Sequence, residues 1–163
     1  MPIRNKKKIW ITIDKLKFNN FKKVGIKKLN QKRFKTSPWI NDIINKNNYL
    51  INEKELPVKL VRIKLKDLKF KGPTQLQKVY KKAKKLNYKL VPPEIALYLR
   101  LVYLKQKKGE WLRIATPLNS MIDSDGVPHL PKLGKALGYF FLETYWSYPK
   151  AIFHPHNEFI FKL

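Results

Sequence analysis

Apolar residues recur in two rhythms along this chain, and the change between them falls at Pro92-Pro93. Before it, short β-like runs are mixed with helical stripes. Residues 9–13 (Ile-Trp-Ile-Thr-Ile) are rich in β-branched side chains and predict a short strand. Phe18, Phe21, Val24, Ile26 and Leu29 fit one face of a helix, with Gly25 as a weak point. Ser37-Pro38 then offers an N-cap followed by proline at the first helical position, with Trp39, Ile40, Ile43 and Ile44 on one side. Residues 58–65 (Val-Lys-Leu-Val-Arg-Ile-Lys-Leu) suit a strand with one buried face. The strongest stripe follows. Leu76, Val79, Tyr80, Ala83 and Leu86 lie along one side of a predicted helix, with Thr74 as its N-cap, Gln77 completing a capping box and Asn87 at its end. Lys78, Lys81, Lys82, Lys84 and Lys85 occupy the other side.

After Pro93 the pattern reads as β. Residues 97–104 are apolar on both faces, as for a strand inside a sheet, and Gly109 closes a hairpin into residues 110–116. A turn at Asp123-Ser124-Asp125-Gly126 precedes strands at 139–146 and 158–163. The expected fold class is α+β: a mostly antiparallel sheet with one central amphipathic helix packed on it and short N-terminal helices. The expected division is a basic N-terminal region, 1–56, and an α+β core domain, 57–163.

Composition sharpens this in two ways. With 163 residues, 44% of them hydrophobic, the chain is long enough to bury a core. It has no cysteine, which excludes disulfides, thiolate metal sites and cysteine nucleophiles. No apolar run approaches the ~20 residues of a membrane helix, and the basic start is interrupted by Asp14 and Lys15 before a signal sequence can form, so a cytoplasmic location is expected. The second feature is charge. Of the net +25, residues 1–90 carry 27 basic residues against five acidic ones, while residues 91–163 carry nine against six. Such a field favours polyanions, and it predicts cationic groups gathered over the early part of the chain with an aromatic sheet behind them. Genome composition bias toward lysine and asparagine supplies a competing origin for the charge. Only five of the 36 basic residues are arginine, which argues against reading of base edges. The two helices around the basic linker 30–36 have the order of a helix-turn-helix, an arrangement that packing alone also produces.

The leading expectation is therefore a non-catalytic module binding the phosphate backbone of RNA or DNA through Lys78, Lys81, Lys82 and Lys85, with no cofactor. A small-molecule or enzymatic pocket in the neutral second half is the alternative, built from Glu94, Arg100, Glu110, Asp123 and Asp125, with Trp146 and Tyr148 as rings on a common face. Clustering of the five charged groups favours it and dispersal removes it. A protein-interaction module is a third reading, to be marked by an exposed aromatic patch. Glu110 is placed to pair with Arg100 or Arg113 across the expected hairpin. Asp123-Ser124-Asp125-Gly126 resembles the start of a calcium loop, but Gly134 stands where the twelfth-position glutamate belongs, which favours a plain turn. His129, His154 and His156 lack ligand spacing, and Pro155 is expected to point its two neighbours apart. The rings of Tyr139, Phe140, Phe141, Tyr145, Trp146, Tyr148 and Phe153 could stack bases, although strand spacing turns about half of them inward.

Leu90-Val91-Pro92-Pro93-Glu94, Tyr98 to Tyr103, Gly109-Glu110-Trp111-Leu112, Ile122 to Gly126, Tyr145-Trp146 and Phe159-Ile160-Phe161 together resemble the pattern of a family of small uncharacterised bacterial proteins. The likeness spans about residues 59–161. It implies an architecture and no activity, and the heavy lysine load sets this chain apart from that pattern.

Overall fold

The computed structural model describes residues 7–163. In chain order its elements are β1 (Ile11–Ile13), a helical segment that opens with a π turn (Phe21–Gly25) and continues as α1 (Ile26–Leu29), β2 (Phe34–Thr36), α2 (Pro38–Lys46), β3 (Val58–Lys64), β4 (Thr74–Gln75) and α3 (Leu76–Lys85). They continue as α4 (Pro93–Val102), β5 (Trp111–Ile114), β6 (His129–Ala136), β7 (Tyr139–Trp146), β8 (Ile152–Phe153) and β9 (Glu158–Lys162). Seven strands form one mixed, mostly antiparallel sheet in the order β1-β3-β9-β5-β6-β7-β2, with β5–β9 and β2–β7 parallel. β4 and β8 form a separate pair. The architecture is α+β.

Strand alternation divides the core in two. Leu60, Leu112, Ile114, Leu133, Leu142 and Ile160 point to one face, where they pack with Ile40, Ile43 and Ile44 of α2 and Ile95 to Leu101 of α4. Their neighbours Val61, Ile63, Phe159 and Phe161 point to the other, against Leu76, Val79 and Ala83 of α3. Residues before position 57 belong to the same sheet and core: β1 pairs with β3, β2 pairs with β7, and Phe21, Leu29 and Phe34 are buried beside α4. α2 starts as its caps dictate, Ser37 Oγ accepting the Ile40 amide at 3.2 Å with Pro38 behind it.

The largest departure from expectation is α4. Residues 97–102 are helix rather than strand, and Ile95 to Leu101 are buried all round. A run apolar on both faces fits a fully buried helix as well as an inner strand. Its composition, Leu and Ala with few β-branched residues, Pro93 at the first position and Glu94 in the first turn, belongs to a helix. Gly109 therefore closes a helix-to-strand loop, and the hairpin proper is β6–β7, turned by Leu137 and Gly138, both with positive φ. At α3 the N-cap is Gln75 without a side-chain bond. Thr74 pairs with Phe153 in β4 and its hydroxyl donates to the Gly72 carbonyl at 2.9 Å, so no capping box forms. Asn87 is left-handed at φ 63°.

Arg100, on α4, is the largest fully buried side chain. Among the described residues no carboxylate meets it. Its Nη1 donates to Gln106 Oε1 at 2.7 Å and to the carbonyls of Gly134 and Phe141, both at 3.1 Å, while Nη2 donates to the Tyr103 carbonyl at 2.8 Å. Gln106 Nε2 donates in turn to the carbonyls of Glu110 and Leu133. Burial pulls the guanidinium down to about 10, which leaves it charged at neutral pH. Arg100→Met fills the volume but strands the Tyr103 carbonyl and Gln106 Oε1, while the Gly134 and Phe141 carbonyls keep each other's strand amides. Each stranded acceptor costs ~1–3 kcal/mol, so the two together predict a loss of about 2–6 kcal/mol in urea unfolding. A loss below ~0.5 kcal/mol contradicts the clamp role, because surface substitutions alone cost that much.

Candidate nucleic-acid interface

α3 seals only the β3–β9 side of its sheet face. Across β5, β6 and β7 the same face carries Trp111 and Arg113, then Lys132 and Gly134, then Tyr139, Phe141 and Glu143, as the registers Trp111↔Gly134↔Phe141 and Arg113↔Lys132↔Glu143 require. Lys35 on β2 extends this row, since it pairs with Phe141. Trp111 and Phe141 are half-buried and belong to neither core cluster, and Tyr139 is 37% exposed. The result is an open sheet face with an aromatic row.

The row is continuous. Trp111 and Phe141 lie 5.8 Å apart between ring centroids, and Tyr139 meets Phe141 edge-on at 6.5 Å. Cations stand at both ends: Lys35 Nζ is 4.6 Å from the Tyr139 ring and Lys132 Nζ 5.0 Å from the Trp111 ring. Arg113 and Lys132, one strand apart, are both pulled below their ordinary values, chiefly by burial, while Arg113 adds repulsion at Lys132. Burial raises Glu143, against the pull of Lys132. Arg113 Nε is buried with no hydrogen-bond partner among the described residues.

Gly134 makes this row possible. A Cβ there would lie 2.2 Å from the Trp111 ring, so the indole rests directly on the β6 backbone. Arg100 holds the Gly134 and Phe141 carbonyls of that backbone in place. Gly134→Ala must push the indole off the strand. We expect a shifted Trp111 fluorescence maximum and a stability loss of ~1–3 kcal/mol; an unchanged emission spectrum rules this seating out.

Of the four α3 lysines expected to bind phosphate, Lys78, Lys81 and Lys85 are exposed and Lys82 is half-buried. Among the described residues none makes an ion pair within 4 Å. Two clefts flank the helix: one of about 450 Å³ includes Lys7, Lys69 and Lys82, and one of about 490 Å³ includes Lys81, Lys84 and Lys89; Tyr88 lines both. A larger cleft, about 660 Å³, lies away from α3 between residues 10–17 and 102–105. The expected one-sided charge does not form. Lys22, Lys23 and Lys27 sit on the helical segment of one sheet face and the α3 lysines over the other, because strands from the early part of the chain are built into both edges of the sheet.

The alternative pocket disperses. Arg100 is sealed in the core, and Glu110 pairs with Arg62 at 3.1 Å rather than with Arg100 or Arg113. Arg62 also binds Glu158 at 2.8 Å, and Glu158, then Glu110, hold its guanidinium well above its ordinary value. Glu94 is half-buried, pushed up by burial, with Glu55 and Lys162 as its charged neighbours. Asp123 is 4% exposed and bonded to His129, while Asp125 is exposed. None of these five lines any of the clefts above. Trp146 ends β7 and is 57% exposed; Tyr148 lies beyond it in a loop, so the two share no strand face. Asp123 Oδ1 accepts the amides of Asp125 and Val127, both at 2.9 Å, which makes residues 123–126 a self-bonded turn. His154 and His156 stack at 5.8 Å rather than diverging, because the 154–157 turn brings them to one side. Among the described residues no three His, Asp or Glu side chains converge as metal ligands, and no helix is long and apolar enough to cross a membrane.

Known family models, curated proteins and solved structures were compared with this chain, and none matches.

Tyr139 and Phe141 belong to the aromatic group that the sequence points to, whereas Trp111, Lys35, Lys132 and Arg113 carry no such signal. Strand alternation in 139–146 separates Tyr139, Phe141, Glu143 and Tyr145 from their neighbours. The partners across β5, β6 and β2 depend on register, which no local signal supplies.

Proposed function

We propose that this chain is a nucleic-acid-binding module that takes single-stranded RNA or DNA on the open face of β5, β6 and β7. The observation that carries this reading is the half-exposed row Tyr139–Phe141–Trp111, with Lys35 and Lys132 over its outer rings. Aromatic rings on an uncovered sheet stack unpaired bases whatever their identity, and flanking cations track the backbone. The scarcity of arginine fits such sequence-tolerant binding, and so does the net charge of +25.

In this reading α3 contributes phosphate contacts. It lies over the same side of the sheet, and its Lys78, Lys81, Lys82 and Lys85 face outward from the packed stripe Leu76, Val79 and Ala83. Stacking supplies the affinity that survives at high salt; the lysines supply the part that does not.

The test is binding of a mixed-sequence single-stranded oligonucleotide between ~50 and ~200 mM salt. Trp111→Ala and Phe141→Ala should each weaken binding about 5–150-fold at every salt concentration, as for the loss of ~1–3 kcal/mol of stacking. Changing the four α3 lysines to Gln should flatten the salt dependence by ~0.7 in log–log slope for each phosphate that is no longer neutralised. Binding that is indifferent to both ring substitutions removes the sheet face as the site. A slope that is unchanged in the Gln variant removes α3.

A further inference from the structure

The sheet face opposite the aromatic row carries a second constellation, and it does not depend on nucleic-acid binding. His129 on β6 is 3% exposed. Its Nε2 lies 2.8 Å from Asp123 Oδ2 and its Nδ1 lies 3.1 Å from Thr144 Oγ on β7. Asp123 is held below the usual carboxylate range by His129 and by the amides of Val127 and Asp125, against the opposing effect of burial. An ionised carboxylate only accepts, so Nε2 carries the proton in the neutral ring, and the Nδ1 lone pair faces the Thr144 hydroxyl. Thr144 Oγ–H therefore donates to a base that a third group orients, which is the arrangement of an activated nucleophile. The ring roles are exchanged relative to serine proteases, with Nε2 toward the carboxylate and Nδ1 toward the hydroxyl.

Thr144 is not sealed in. It lines a cleft of about 190 Å³ with Trp39, His129, Tyr145 and Trp146. β2 ends its pairing with β7 at Leu142, two residues short of Thr144, so the cleft opens at the bare end of β7. Trp39 stacks over the imidazole at 6.0 Å and is itself 54% exposed; Trp146 is 57% exposed. Two tryptophans held this open around a buried acid–base pair form a wall for a flat apolar group.

We propose that Asp123, His129 and Thr144 form an acyl-transfer centre for small carboxylic esters whose acyl or aryl group enters between Trp39 and Trp146. Thr144 Oγ attacks the ester carbonyl carbon as its proton passes to His129 Nδ1, and Asp123 holds the resulting imidazolium. Collapse of the tetrahedral adduct breaks the bond to the alcohol oxygen, which leaves with that proton. Water, deprotonated by His129, then releases the acid and restores the hydroxyl. Thr144 and His129 touch the reacting atoms; Asp123 positions the ring.

The full chain is treated with p-nitrophenyl acetate, with release of p-nitrophenolate followed and the acetylated residue mapped by peptide mass spectrometry. The result expected is an acetyl group on Thr144 and release that Thr144→Ser retains. Asp123→Asn, which leaves the imidazole without its anion, should slow release about 10²–10⁴-fold. Thr144→Val keeps the volume and should lose the mapped acetyl; circular dichroism verifies that it remains folded. Acetylation confined to lysines in the unmodified chain overturns the proposal without reference to any variant. Equal release by folded Thr144→Val also overturns it.

Discussion

A buried guanidinium with no counter-ion among the described residues is the constraint on which the open sheet face depends. Taking a charge out of water costs several kcal/mol unless strong acceptors surround it. Arg100 meets that demand with the carbonyls of Tyr103, Gly134 and Phe141 and with Gln106, and stacks on Phe140 at 4.9 Å. The bonds join the end of α4, the loop after it and both strands of the β6–β7 hairpin. Gly134 and Phe141 cannot shift apart or change register without stranding a buried donor. The rings above them inherit that rigidity.

From this follows the asymmetry of the sheet. One face is covered by α2 and by α4, whose seven consecutive buried residues leave no exposed side, and it opens at the small cleft between Trp39 and Trp146. The other is sealed where α3 and Phe153 of β8 reach, and beyond them Trp111 lies on bare glycine backbone. A sheet exposing aromatic rings normally invites association with other edges and faces. Here lysines stand over the outer rings of the row and keep it hydrated. The charge matters by position more than by total, because lysines stand on both sides of the particle.

Local signals made much of the frame legible. Ser37-Pro38 marked α2, alternation marked β3, β7 and β9, and Asn87 marked the end of α3. What failed did so for definable reasons. The Leu-rich run in α4 has no polar face to give its period away, and Pro93 outweighed the alternation it mimicked. No strand is expected over β6, where Pro131 and Gly134 interrupt the pattern, although Gly134 is there to seat Trp111. Glu110 was assigned a neighbour in sequence, whereas its partner Arg62 is 48 residues away and is brought to it through β3, β9 and β5. Arg100 reads as a pocket residue or a partner of Glu110, because sequence carries no sign of which arginine has carbonyls converging on it. The aromatic row needed three registers at once, and Thr144 had no motif around it at all.

The four tryptophans provide the most direct measurement, since each marks a different region: Trp10 near Arg62, Trp39 and Trp146 at the small cleft, and Trp111 on the open face. Their indole N–H signals can be followed by NMR in ¹⁵N-labelled protein as a single-stranded oligonucleotide is added. Binding on the open sheet face predicts that the Trp111 signal moves with saturating dependence on oligonucleotide while Trp10, Trp39 and Trp146 stay in place. A stationary Trp111 signal under conditions where the oligonucleotide is bound would contradict the account.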